Sequence, residues 1–473
     1  MPEGLTGYWY SRFVFERALA LIYLVAFLCA ANQFVPLLGE HGLTPVSRFV
    51  RVVPFRESPS VFFFMPSDTA FRTGAWIGVV LAIAAFLGVG SRLHSFAPAA
   101  IWFVLWLLYL SFVNVGQIFY GFGWETLLLE AGFFAMFLGA ARTMPTFWLI
   151  GIYRWLLFRV MFGAGMIKLR GDSCWRDLTC LDYYFETQPM PNPLTWRFHW
   201  LPHRVHAAGV VINHIAELGV PLAYFAPQPI AGIAGAITIA FQLTLIVSGN
   251  LSWLNWLTIV LCIPTLDDRW FRWLPIAMPE LHEPQLAQRL SVYAAAALVA
   301  ILSIGPVMNM LSPGQIMNTS FEPLHLVNTY GAFGSITRTR NEIVIEGTDD
   351  AAIGPQTEWR AYEFRGKPGD PSRRPPQVAP YHLRLDWLMR FAAFSTPDEH
   401  PWFTALLAKL LEGDANVLSL LRTNPFPEHP PRFVRAQFYE YHLTTPDERR
   451  TTGRWWNRRL VGTYFSPASL RTR

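Results

Sequence analysis

Three cations interrupt one apolar stretch: Arg154, Arg159 and Lys168 lie in a run, Phe147–Leu169, otherwise made mostly of Trp, Leu, Phe, Val, Ile, Met and Gly. A charge in a segment suited to hydrocarbon costs several kcal/mol unless it is partnered, so such residues mark ion pairs, relays or substrate sites. Acids at comparable positions are Glu125, Glu130 and Glu217, with His214 three residues before Glu217. Glu130 and Glu217 are therefore expected to pair with cations of the Phe147–Leu169 helix. Two chemistries follow. The charges form a structural network that fixes helix register, or Lys168 acts as a buried proton-transfer base tuned by Glu130, Arg159, His214 and Glu217. His214 and Glu217 lack further ligands at recognisable spacing, so no metal is expected.

The chain then enters a loop holding Asp172, Trp175, Asp177, Asp182, Tyr184, Glu186 and Gln188, closed by Pro189 and Pro191. Acceptors and rings at this density describe a folded lid over the helix mouth or a rigid plug against the C-terminal part. Arg197, Trp200 and His203 are placed to anchor the same surface. Cys174 and Cys180 lie in this loop, and an oxidising compartment would permit a disulfide between them. Cys29 and Cys262 fall in apolar helices and read as small buried hydrophobes.

These residues need elements to hold them, and composition says which. Of 473 residues 52% are hydrophobic and only 15% charged, against about a quarter charged in a soluble domain. The long apolar runs end near Leu311, and the remainder reads as an ordinary soluble domain. This predicts a polytopic α-helical membrane protein of eight or nine transmembrane helices with a C-terminal soluble α+β, β-rich domain. The division falls at 1–314, including a long extramembrane loop at 170–206, and 315–473. Candidate spans are Phe13–Ala31, Gly74–Gly90, Ala97–Gly116, Trp124–Ala140, Phe147–Leu169, Ala207–Ala226, Ile230–Val247, Leu251–Pro264 and Leu290–Leu311. The first is read as an uncleaved helix, since no signal-peptide pattern precedes it. With nine helices, Arg12, Arg92, Arg142, Arg269 and Arg272 share one side, which the positive-inside rule makes cytoplasmic. The net charge of +5 belongs to loops facing lipid headgroups, not to a nucleic-acid surface. In the C-terminal part, strands are expected at His325–Gly331, Glu342–Gly347, Thr357–Phe364 and Pro431–Leu443. Helices are expected at Pro380–Phe394 and Pro401–Leu421, with Lys367–Pro380 as a loop.

GMIKLRGDSCWRDLTCLDYYFETQPMPNP (165–193), WRFHWLPHRVH (196–206) and YGAFGSITRTRNEIVIEGT (330–348) resemble the lipase maturation factor family. The resemblance continues through residues 358–394, NPFPEHPPRFVRAQFYEYHLT (424–444) and TGRWWNRRLVGTYF (452–465). It implies a multi-spanning membrane protein, resident in the endoplasmic reticulum in animals, that assists folding and assembly of dimeric lipases. The C-terminal domain would bind the client, a lipase or other exported protein. Aromatics and Arg favoured at binding hot spots nominate Arg360, Tyr362, Trp387, Trp455 and Trp456. An Arg- and Pro-rich chain without a retention motif at its end suits a bacterial inner-membrane member with a periplasmic C-terminal domain. A more distant similarity, an aromatic helix with small residues and then Lys-Leu, links Lys168 to the vitamin K-dependent gamma-carboxylase, where the comparable lysine is the catalytic base. That alternative implies an enzyme acting on a lipid-soluble or protein substrate, with a lipid or quinone-like ligand. The maturation reading is preferred, with membrane lipid as the other partner and no cofactor. A transporter is disfavoured because no inverted repeat is visible. Oligomeric state is not encoded legibly.

Overall fold

A computed structural model describes residues 7–90 and 96–470; Arg92 lies outside the described residues. Among the described residues seven helices are long and apolar enough to cross a membrane: Trp9–Leu38, Asp68–Phe86, Ala97–Val115, Phe147–Arg170, His203–Phe225, Ile230–Ser248 and Leu286–Leu311. Two expected spans are shorter, Gly123–Ala135 and Leu254–Thr265. Burial explains both. All residues of Gly123–Ala135 except Phe133 are buried, so the helix is enclosed by protein and need not match the hydrocarbon thickness that lipid-facing spans must.

The contacts of the helix ends show how often the chain passes between the two faces. At one face Trp9 donates to Ala141 (2.7 Å), Tyr10 to Ile276 (2.8 Å) and Met144 to His282 (3.0 Å). Gln228 joins that face through Tyr8. At the other, Gln33, Trp124, Asn250 and Arg384 gather around the C-terminal domain: Gln33 donates to His382 (2.6 Å), Arg384 to Phe119 (2.6 Å) and Asn250 to Pro376 (2.9 Å). Among the described residues the two short helices therefore complete an alternating set of nine passes. Small residues let these helices close up: a Cβ on Gly78 would lie 2.3 Å from Phe27, and one on Gly165 would lie 2.7 Å from Leu218.

The first long connection starts later than expected, because the first helix continues to Leu38. Residues 39–67 form a short helix, Val46–Val52, and a 3-10 turn, Val61–Phe63. Ser58 and Ser60 tie this segment to Asn114 and Ser111 at the end of the Ala97–Val115 helix. Exposed Val52, Phe55, Phe64 and Met65 interleave with exposed Arg48, Arg51 and Arg56. Apolar side chains with snorkelling arginines at helix ends suit the headgroup boundary.

The C-terminal domain holds a four-stranded antiparallel sheet in the order β2-β1-β3-β4: β1 Arg340–Thr348, β2 Arg360–Ala361, β3 Phe433–Leu443 and β4 Trp456–Ala468. Helices Arg384–Ala392 and Pro401–Glu412 cover it. Trp402, Phe403, Leu406, Leu407, Leu410 and Leu411 make one buried stripe at helical spacing. Gly413 ends that helix at φ +66°, a left-handed cap that glycine adopts without strain. Three expectations need correction. The stretch expected as a strand from Thr357 to Phe364 is reduced to Arg360–Ala361. His325–Gly331 forms only an isolated bridge, Ser320↔Asn328, because it runs down against the membrane helices instead of another strand. β4 is a strand that sequence patterning missed.

Candidate functional site

The Phe147–Arg170 helix presents its cations in different directions. Arg159 and Lys168 are nine residues apart, two and a half turns and about 14 Å along the axis, so they face opposite ways. The expected single network therefore divides into separate centres.

In the first, Lys168 donates to Glu217 (2.5 Å) and Asn213 (3.1 Å), with the indole of Trp175 centred 5.0 Å from Nζ. Asn213 in turn donates to Glu217 (2.9 Å). Glu217 sits in a π turn, Ile215–Gly219, a widened turn that often marks specialised positions. His214 points away from this pair and hydrogen-bonds the Trp175 carbonyl (3.0 Å).

In the second, Arg159 grips Glu130 through two nitrogens and donates to the Asn328 carbonyl (2.7 Å). Glu130 also accepts from the Asn328 backbone (3.1 Å), its side chain (3.1 Å) and Tyr330 (2.7 Å). The segment leading into the soluble domain thus completes the coordination of a carboxylate in the helix bundle. Among the described residues Arg154 meets no acid; it donates to Pro264 (3.1 Å) and Tyr8 (2.8 Å).

Two further centres escaped sequence reasoning. Arg384 donates to Glu125 (2.7 Å), lies 3.4 Å from the Tyr120 ring centroid, and Tyr109 also donates to Glu125. Both charges are fully buried, which makes this the central lock between soluble and membrane parts. Inside the domain, Glu342 lies between Arg340 (2.6 Å) and Lys367 (2.9 Å). Burial alone would raise its carboxyl, but Lys367, Arg340 and Arg390 outweigh it and hold it below the usual range. Arg340 donates to the carbonyls of Glu186 (2.9 Å) and Gln188 (2.6 Å), and Arg390 to that of Thr187 (3.0 Å). These are the free carbonyls at the C-terminus of the Cys180–Thr187 helix, where cations are favoured. The only hint in the sequence was Arg and Lys among apolar neighbours.

The loop is a plug. Asp172 binds Arg338 (2.8 Å), which holds its carboxyl below the ordinary range. Trp175 donates to Phe333 (2.8 Å), and Tyr184 is buried. Asp182 meets His206 (2.7 Å) and His203 (2.9 Å), Glu186 accepts from Leu443 (2.8 Å), and Gln188 donates to Ser248 (3.1 Å). Asp177 alone of the loop cluster is exposed. Cys174 and Cys180 are disulfide-bonded, their Cα atoms 4.7 Å apart. Trp196 and Trp200 both donate to Thr444.

The proposed client surface is corrected by burial. Tyr362, Trp387 and Trp456 are 3%, 4% and 1% exposed, Trp387 against Phe122 and Trp124 of the membrane part and Trp456 beside Tyr441, so a partner cannot reach them. Arg360 is exposed but turned to Asp349 and Glu358, and Trp455 lies against Arg449.

Chemically, Arg159 and Lys168 are each held by a carboxylate and amide groups, which orders helices and seats the domain. The carboxylase-like alternative gains no support, because the Lys168 amine is already engaged by Glu217 and Asn213.

Comparison with known proteins agrees with this architecture. The lipase maturation factor transmembrane domain model matches residues 10–273, and the lipase maturation factor C-terminal domain model matches 326–466. Lipase maturation factor 1 of Bos taurus is 44% identical, covering 98% of this chain and 89% of that protein. The Homo sapiens protein is 43% identical, with 98% and 88% covered. Lipase maturation factor 2 of Rattus norvegicus is 30% identical, with 97% and 83% covered. No solved structure matches. An integral membrane bundle with a docked β-rich domain, matched over nearly its whole length by these relatives, belongs to the lipase maturation factor family.

Proposed function

We propose that this protein is a membrane-anchored maturation factor for lipases, with the C-terminal domain as its client-facing part. The observation that carries this is the 98% coverage at 44% identity with a protein named for lipase maturation; membrane and soluble parts correspond together. An alternation of nine passes supports a soluble domain opposite the face bearing Arg12, Arg142, Arg269 and Arg272. Positive-inside charge makes that face cytoplasmic, so the domain is exported, in the periplasm if the host membrane is a bacterial inner membrane. The Cys174–Cys180 bridge on the domain side suits an oxidising compartment.

The test is co-expression with a secreted lipase in a host lacking maturation factors. Secreted lipase activity per unit lipase mass is expected to rise severalfold with the full chain and not with a chain truncated after residue 314. Equal specific activity with and without the full chain would overturn the proposal.

A further inference from the structure

Among the described residues, the sheet of the C-terminal domain ends on a strand that pairs on one side only. β4 runs for thirteen residues, about twice the usual strand length, and pairs only with β3. At Trp456 the N–H is taken by the Pro371 carbonyl (3.1 Å), and there the covering stops. From Asn457 to Ala468 the backbone makes no hydrogen bond to a described residue outside the β3 ladder. Residues 457–461 are all exposed, with Leu460 and Val461 each at 52%. Over this stretch the ladder is regular, with Asn457–Leu460 opposite Tyr439–His442, and register shifts begin only beyond Tyr439.

An edge of this kind is a template for another strand, and charge decides which strand it accepts. Residues 453–470 include Arg454, Arg458 and Arg459 and no acid. The carboxylates that touch this strand are already engaged: Glu440 on β3 by Arg459 and His442, and Glu448 by Thr445 and Asn457. A second copy would bring the same cations to the edge, and like charges across a strand pair are unfavourable. An extended segment carrying acids among β-branched residues meets no such repulsion.

We propose that the β4 edge captures an extended, acid-bearing segment of a partly folded client by adding it to the sheet as a fifth strand. Main-chain hydrogen bonds supply affinity that tolerates varied sequences, while the arginines and Leu460 and Val461 bias the choice. This deepens the maturation reading and rests on it.

The test uses the full-length protein in detergent and a fluorescein-labelled ten-residue peptide alternating Glu with Val. Binding is expected, weakened by about tenfold or more when alternate peptide amides are N-methylated, when Glu is replaced by Lys, or in the L460E/V461E variant (tenfold being 1.4 kcal/mol). Both substituted side chains are exposed, so an unchanged melting temperature should accompany the loss. Equal binding of the N-methylated peptide, or by the variant, would overturn strand addition. So would a concentration-dependent dimer that the peptide dissolves, which would give the edge to a second copy. The lipase assay separates the two proposals: peptide capture without lipase maturation sinks the function alone, and maturation without capture sinks the edge alone.

Discussion

Lys168 and Glu217 are each about 5% exposed at the side chain and joined at 2.5 Å, so neither charge can be removed alone without stranding the other. Lys168→Met should destabilise the protein by about 3–5 kcal/mol, because Glu217 is left buried and unpaired. Lys168→Met with Glu217→Leu should recover most of that loss, since two apolar groups need no partner. Melting in detergent checks the order of the two variants. A folded double variant that still supports lipase secretion removes any need for proton transfer at Lys168; a folded but inactive one revives it. Buried histidines contribute to acid behaviour. His325 donates through Nε2 to Asn114 (2.8 Å), and burial pushes its pKa down to about 4 while its Nδ1 meets no partner among the described residues. Burial lowers His199 and His382 likewise. Their unfolded forms take up protons near pH 6.5, so stability is full above that value and falls as pH drops from about 6.5, for His325 until about pH 4. His325→Gln should flatten the fall in melting temperature between pH 6.5 and 4; a profile unchanged by the substitution would assign the acid sensitivity elsewhere. The Lys168 pair was legible because Glu217 lies on a recognisable apolar segment. Arg384 was not, because its acid, Glu125, is 259 residues away and nothing local distinguishes a buried arginine from a solvated one.

At the scale of elements, the Cys180–Thr187 helix shows how the plug is held: by two arginines of the soluble domain at its C-terminal carbonyls and by the disulfide at its start. Arg390→Met removes one donor from Thr187 and leaves Arg340 to hold Glu186 and Gln188. Amide exchange across residues 180–190 should then rise by roughly tenfold, the response to about 1.4 kcal/mol of local opening. Exchange in the Trp9–Leu38 helix should stay unchanged. Uniform acceleration along the chain would show that Arg390 supports the whole fold and not this junction. Elements with clear periodicity were legible in advance: Pro401–Glu412 has a single buried stripe, and β1 and β3 lie within runs rich in branched and aromatic residues. β4 was not, because Arg458, Arg459, Leu460 and Val461 are exposed together and erase the alternation on which a strand assignment rests. Segment 325–331 failed in the opposite sense. It has strand-like residues, but Asn328 and Tyr330 are committed to Glu130, so no neighbouring strand can form. Tyr362, Trp387 and Trp456, nominated for client binding, are buried because Trp and Tyr serve cores and interfaces alike, and composition does not separate them.

For the whole molecule, helix passes were legible from hydropathy, whereas the docking of the soluble domain was not, because it depends on charges that pair across hundreds of residues. The domain is seated by Arg384 on Glu125, by Asn328 and Tyr330 on Glu130, and by Asn250, which donates to Pro376 and accepts from Val378 (2.8 Å) and Ala379 (2.9 Å). These contacts sit at the mouth of the bundle and none is a surface pair, so water cannot substitute readily for a lost partner. Arg384→Met should therefore unseat the domain before it unfolds either part, because Glu125 is left buried without its cation while Tyr109 still donates to it. Limited proteolysis is expected to cut the connection around residues 312–324, where Ile316, Met317, Phe321 and Leu324 are exposed, and to release the soluble domain several times faster than from the unmodified chain. Glu125→Gln with Arg384→Met removes both charges and should restore much of the resistance. If Arg384→Met instead melts the helices together with the domain, the two parts are one cooperative unit, and the lock belongs to the fold of the bundle. If neither variant changes the cleavage rate, the remaining contacts of Asn250 and Asn328 hold the domain by themselves.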